Sequence, residues 1–168
     1  MNNSVQFPTI QAIVNSYEWV WALCQMIHYV GVSLIVGIIG TLDLRILGLF
    51  KSIPLAAFRP LVPWAIGAFI ANLLTGAIFV LGHSSGPSHW FNNLSFRLKM
   101  VFVLLAFINL VIFKVTGLEE RVYATPQGAN AATAAKVVSV FSLVAWLFII
   151  FFGRTLQYND TLLLFLGI

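Results

Sequence analysis

The sequence contains little charge. Of its 168 residues, nine are Lys or Arg and five are Asp or Glu, or 8% of the chain, whereas soluble domains carry about 25%. So few charges cannot cover the surface of a water-soluble globule of this size. Disorder is excluded as well, because disordered chains combine low hydrophobicity with high net charge, and 60% of this chain is apolar. The composition therefore predicts a membrane protein that forms one domain over residues 1–168.

The residues and motifs of soluble enzymes are also scarce. The one cysteine, Cys24, excludes an intrachain disulfide and a zinc site built from cysteines. The chain has no Walker loop, no dinucleotide-binding fingerprint, no GxSxG and no HExxH. We therefore do not expect a stand-alone enzyme.

Long uncharged stretches predict four transmembrane helices. They cover residues 19–42, 60–96, 100–113 and 137–153. A bilayer core needs about 20 apolar residues per helix, so the third helix reaches that length only if Arg97 and Lys99 snorkel, and the fourth must begin near residue 131. No segment shows the alternation of a membrane barrel. The predicted fold is all-α, an integral membrane four-helix bundle with short interfacial terminal segments and helices over about 19–48, 61–83, 95–116 and 131–154.

The basic residues predict the orientation of these helices. Six of them lie in or beside the loops that join helices one to two and three to four: Arg45, Lys51, Arg59, Lys114, Arg121 and Lys136. The opposite side has three, and cytoplasmic loops are enriched in Lys and Arg. Both termini are therefore expected outside. The basic residues behind the net charge of +4 lie mostly in or beside these two loops, so we do not interpret it as a nucleic-acid-binding surface and expect no nucleic-acid partner.

Two short segments flank the spans. Residues 8–16 could form a helix on the outer surface, and the apolar residues 161–168 are too short to cross a bilayer. Residues 1–17 lack the basic region and cleavage site of a signal peptide, so the first helix is expected to direct insertion. None of the 14 charges lies in the middle of a predicted span, and we therefore expect no catalysis by buried carboxylates.

Histidine is the most informative polar residue inside the spans. His28 lies seven residues after Trp21, roughly 10 Å into the membrane from the outer side. An imidazole at that depth is a ligand of haem or a metal, or a structural group bonded to another helix. His83 and His89 fall in a loop on the same side, where they are further ligands or solvated loop residues. Met100 is a soft axial ligand or core filler.

Other residues near His28 have two interpretations each. Gly31 lets a flat cofactor or another helix approach closely. Arg97 and Lys99 could bind haem propionates or lipid phosphates. Asn72 is predicted to bind at the same site or to form an inter-helix hydrogen bond, as is Asn109 in the third helix. At the inner end of the first helix, Asp43 and Arg45 are predicted to pair with other elements, such as Arg59 or the inner ends of helices two to four, as a structural clamp or as a gate.

One stretch of the first helix resembles a known protein family. The residues from His28 to Gly48 contain His-x-x-Gly followed by Asp-Leu-Arg-x-Leu-Gly, and they resemble an uncharacterised bacterial family of small four-helix membrane proteins. Weaker matches extend through most of residues 18–158: Pro63-Trp64, Thr75-Gly76, Phe96-Arg97-x-Lys99, Asn109, Trp146 and Gly153-Arg154.

That resemblance implies the fold, and it implies residence in a bacterial inner membrane. The family is distantly similar to copper-resistance D-type proteins and to small cytochrome b-type bundles, which use histidines in their helices. Its members carry a further histidine near the end of helix three, where this chain has Phe113-Lys114, and this departure weakens any bis-histidine assignment.

Three functions follow as hypotheses. The first is a redox module holding haem b, or copper, through His28, with His83, Met100 or His89 as second ligand, which passes electrons between the quinone pool and an outside partner. The second is a structural or assembly subunit without a cofactor, which contacts lipid and other membrane subunits or further copies of itself. The third is a small ion or metal transporter.

Overall fold

The computed structural model describes residues 8–158, and over this range it contains seven α-helices and no strand. The helices are α1 (Pro8–Ser16), α2 (Glu18–Leu47), α3 (Val62–Gly82), α4 (Ser88–Phe91), α5 (Leu94–Val115), α6 (Leu118–Tyr123) and α7 (Thr133–Arg154). Two 3-10 turns, Leu55–Phe58 and Thr155–Tyr158, complete the regular structure.

Four of these helices, α2, α3, α5 and α7, are long and apolar enough to cross a membrane. This confirms the predicted all-α bundle and makes the chain a multi-pass membrane protein that contacts lipid. The helix boundaries agree with the prediction to within one or two residues. The largest difference is at α7, which begins at Thr133 because the preceding Ala132 has an extended backbone.

The long helices form an open arc in which α2 is central. One side of α2 packs on α3 and the other on α7, and α5 packs on α7, whereas α3 and α5 are not packed together. Small side chains occupy the helix contacts, as is usual in membranes; the buried ones include Ala65, Ala68, Ser139 and Ala145. The arc therefore leaves a gap between α3 and α5.

Arg45 holds the loop end of the bundle, the end that carries the α2–α3 and α5–α7 connections. Its guanidinium is completely buried and donates to the carbonyl of Ile53 at 2.7 Å, of Lys51 at 3.4 Å and of Ala129 at 3.5 Å. These carbonyls belong to both loops, so Arg45 is the structural clamp that the sequence predicted. The expected pairing with Arg59 is wrong, because Arg59 forms a surface ion pair with Glu120 at 3.1 Å.

At the opposite end, which we call the terminal end, α1 lies against the last turn of α3. Gly82 makes this approach possible, since a Cβ there would lie 2.9 Å from a methyl group of Val14. The Gln11 side chain also donates to the carbonyl of His83 at 2.9 Å. The helix predicted over residues 8–16 is thus confirmed, and the predicted apolar segment 161–168 lies outside the described residues.

Candidate functional site

His28 is bonded to α3 through one nitrogen of its ring. Nδ1 lies 2.8 Å from the hydroxyl of Thr75, and that hydroxyl lies 2.9 Å from the carbonyl of Ala71 and 3.2 Å from that of Asn72. With its one proton directed to a carbonyl of its own helix, as is common for Thr inside a helix, the hydroxyl accepts from the ring through Nδ1–H. This assigns the neutral tautomer whose Nε2 carries a free lone pair, the arrangement that orients histidines toward metals.

Asn72 joins α3 to the backbone of α2 beside His28. In the orientation that satisfies its hydrogen bonds, the amide nitrogen donates to the carbonyl of His28 at 2.8 Å and the amide oxygen accepts from the N–H of Val32 at 3.1 Å. These two backbone groups are partners in a regular helix, so the amide inserts into the α2 hydrogen-bond ladder.

Gly31 is required for that insertion. A Cβ at this position would lie 2.5 Å from the end of the Asn72 amide and 3.2 Å from the carbonyl oxygen of Ala68. The sequence prediction that Asn72 forms an inter-helix hydrogen bond is confirmed, and Gly31 serves as the point of close helix approach. Neither residue is free to line a cofactor pocket while this contact persists.

The two basic residues of α5 differ in their surroundings. Arg97 is exposed, whereas Lys99 is half-buried, and its ammonium lies 3.7 Å from the position of a Cβ on Gly153 in α7. Both lie at the same end of the bundle as His28, and Lys99 is the charged group that acts on His28 electrostatically. Met100 is 44% exposed on the outer face of α5.

The other two histidines form a separate aromatic cluster beyond α3. The rings of His83 and His89 stack at 4.1 Å between centroids, and both meet Trp90 edge to face. His83 Nδ1 accepts from the N–H of Ser85 at 3.2 Å, and burial, with a smaller effect of His89, lowers the pKa of His83 below its usual value. His83 lies eight residues after Thr75, so the aromatic cluster is roughly 12 Å further along the α3 axis than the residue bonded to His28. Within residues 8–158 no three His, Cys, Asp or Glu side chains form a metal-binding group.

A cleft near the loop end was not expected from the sequence. It has a volume of about 250 Å³ and is bounded by α2, α3, α5, α6 and α7. Its walls are mostly apolar, with five polar or charged side chains: Asp43, Asn109, Glu119, Tyr123 and Ser142. Because α3 and α5 are not packed together, the cleft lies at the gap between them. Trp146, which lies inside the fourth predicted span, lines the same cleft.

Asp43 is a buried carboxyl at the inner end of α2, a position where the sequence predicted a polar contact with other elements. Only 6% of its surface is exposed, and its carboxyl faces Ser139 and Ser142 of α7. Its Oδ2 atom is buried without a hydrogen-bond partner among the described residues. The signal was present in the sequence, as two serines three residues apart in an apolar helix, but no spacing rule connects them to a residue nearly 100 positions earlier.

The donor atoms near His28 and the volume of the Asp43 cleft decide which group each region can accept. The His28 region offers one well-oriented nitrogen donor with basic side chains nearby, which suits one axial position of a haem or one ligand of copper. The Asp43 cleft, at about 250 Å³, is below the 300–1,000 Å³ typical of sites for drug-sized ligands, so it does not suit a macrocycle. Comparison of the chain with protein-family models, curated proteins and solved structures gives no match.

Proposed function

We propose that the protein is a membrane-embedded redox module in which His28 would hold a b-type haem through Nε2. Copper is the alternative metal for the same nitrogen. The supporting observation is the Thr75 hydroxyl at 2.8 Å from Nδ1, because a histidine whose other nitrogen donates to an oxygen is fixed in the tautomer that ligates metal. When bound, a haem iron would carry one electron by alternating between its ferrous and ferric states.

Arg97 and Lys99 would neutralise the haem propionates. They lie at the terminal end with His28, and no carboxylate is paired with either of them in the described part of the chain. His83, His89 or Met100 would supply the second ligand after a rearrangement, since none of them contacts His28 in the present structure. The bias of Lys and Arg toward the loop end supports a bacterial inner-membrane protein with both termini outside, exchanging electrons between the quinone pool and an outside partner.

The test is an absorption spectrum of the purified full-length chain, oxidised and reduced, with metal analysis. We expect a Soret band that is absent from the His28→Ala variant and retained in Ser33→Ala, because Ser33 is exposed on α2 and bonds only to its own helix. Thr75→Val keeps the volume but removes the hydroxyl, so it should shift the reduction potential and weaken cofactor retention about 10- to 100-fold. Colourless, metal-free protein, or an unchanged spectrum in His28→Ala, would refute the proposal.

A second function is favoured by one observation on α5. In this 22-residue helix only Ser95 is buried, and Val101, Leu104 and Ile108 are exposed, so the face of α5 turned away from α7 is available to lipid or to another transmembrane helix. A structural or assembly subunit would use such a surface for its partners. The discriminating result is colourless protein that purifies in fixed stoichiometry with other membrane subunits.

A further inference from the structure

Two buried polar groups without partners line the cleft between α3 and α5. The Oδ2 atom of Asp43 and the hydroxyl of Tyr123 have no hydrogen-bond partner among residues 8–158, and the two residues are only 6% and 8% exposed. Leaving such a group unpaired in the protein interior costs its full desolvation penalty, which a hydrogen-bonding partner would offset. Asp43 and Tyr123 both line the cleft, so a bound molecule would lie beside both groups and could satisfy them together once the side chains rotate toward it.

The cleft has the size of a single ring with substituents. Engineered protein cavities of about 150 Å³ bind benzene, and this one measures about 250 Å³. Its walls include the rings of Phe69, Phe107, Phe113 and Trp146, which stack well on another aromatic ring. The unpacked gap between α3 and α5 gives a long apolar substituent a way out into the lipid.

The polar groups determine what the ring must carry. A carboxylate accepts hydrogen bonds, and a tyrosine hydroxyl both donates and accepts, so the ligand needs at least one hydroxyl. A lipid acyl chain would fill the volume but leave Asp43 unsatisfied. A bare cation would meet the Asp43 carboxyl, since the other carboxylate of the cleft, Glu119, is paired with Lys114 at 3.1 Å, and the mostly apolar wall supplies too few further oxygen ligands.

We propose that this cleft binds the head group of a lipid-soluble quinol, with a ring hydroxyl donating to Asp43, a ring oxygen accepting from Tyr123, and the tail leaving between α3 and α5. The choice of a quinol among hydroxylated ring lipids rests on the proposed redox function, whereas the existence of the site rests on the cleft alone. Asp43 is 15 residues after His28 on α2, roughly 22 Å along the axis, so the quinol site is distinct from the cofactor position.

The test uses the full-length chain in nanodiscs and two matched probes. One probe is a decyl-substituted benzoquinol kept reduced, and the other is its dimethyl ether, which has the same ring and tail but no hydroxyl. Binding is followed by the change in tryptophan fluorescence that is lost in Trp146→Phe. We expect the quinol to bind at least tenfold more tightly than the ether, because the ether leaves both buried groups without a partner, and a lost hydrogen bond to a buried polar group is worth that factor or more.

The variants separate recognition from folding. In Asp43→Leu the quinol should bind no better than the ether, and in Tyr123→Phe, which removes a single oxygen atom, quinol affinity should fall several-fold at unchanged helical content. Ser33→Ala should bind like the parent chain. Equal affinity for the two probes in the parent chain, or quenching of Trp146 by brominated lipid that quinol does not relieve, would overturn the proposal.

The same variants distinguish this inference from the cofactor assignment. Asp43→Leu and Tyr123→Phe should weaken quinol binding and keep the Soret band, whereas His28→Ala should lose the band and keep quinol binding. If quinol binding fails in the parent chain while the band is present, the quinol site alone is wrong.

Discussion

Gly31→Ala tests the closest contact in the bundle. The added methyl group would lie 2.5 Å from the end of the Asn72 amide, 2.9 Å from its Cγ and 3.2 Å from the carbonyl oxygen of Ala68. The amide is held by its bonds to α2 and the carbonyl is backbone, so neither can yield freely. Helices α2 and α3 must therefore separate, or the Asn72 amide must leave the α2 ladder.

The expected cost follows from three contributions. Overpacking of a well-packed contact costs about 1–3 kcal/mol, and the two hydrogen bonds of Asn72 add about 0.6 kcal/mol each in a membrane. The higher helix propensity of Ala returns about 1 kcal/mol. Gly31→Ala should therefore lower the free energy of unfolding by about 1–3 kcal/mol.

The assay is SDS-induced unfolding in mixed micelles, followed by circular dichroism. Gly37→Ala is the matched control, because a Cβ at Gly37 meets nothing within 4 Å, and it should raise stability by up to about 1 kcal/mol through helix propensity alone. In an Asn72→Ala background the cost of Gly31→Ala should shrink by about 1 kcal/mol, since the clashing amide is gone. Equal effects of Gly31→Ala and Gly37→Ala, or strict additivity with Asn72→Ala, would refute the account of this contact.

Three further predictions concern the two ends of the bundle. Arg45→Leu should cost about 3 kcal/mol in the same assay, at about 1 kcal/mol for each carbonyl that loses its donor, whereas Arg59→Leu on the surface should cost less than about 1 kcal/mol; similar losses would contradict the clamp. Gly82→Ala puts a methyl 2.9 Å from a valine of α1, so amide exchange in α1 should accelerate, and Gly67→Ala, which meets nothing within 4 Å, should leave it unchanged. Burial raises the pKa of Tyr123 to about 12; because the unfolded chain ionises near pH 10, stability should fall between pH 10 and 12, and Tyr123→Phe should remove that part of the fall.

The sequence predicts the fold well because the bilayer imposes it. Inside a bilayer every peptide group must form its hydrogen bonds within the protein, so four uncharged stretches of nearly spanning length fold as helices. The role of Arg45 as a clamp also followed from its position, because a charge at the end of a span is expensive unless it is bonded. Helix ends were accurate because charges and glycines mark them, as Gly48 does in the left-handed conformation at the end of α2.

The site was harder to predict, because it depends on which helix faces meet. His28 and Asn72 were identified as unusual polar residues, but their partners, Thr75 and the backbone of α2, depend on the rotation of α3 about its axis. The buried position of Asp43 depends on α7 presenting Ser139 and Ser142 to it. Residues at a similar depth in the membrane can also face different sides of a helix, as Lys99 and Met100 do on α5. The number and length of the spans do not show which side a residue faces.

We propose that His28 holds a redox cofactor, and the most direct measurement is the amount of haem or copper bound per chain in the parent protein and in His28→Ala. We expect close to one cofactor per chain in the parent protein, with a reduced-minus-oxidised spectrum, and almost none in the variant at equal helical content. No cofactor in the parent protein, or the same content in both, would contradict the claim and favour a structural subunit.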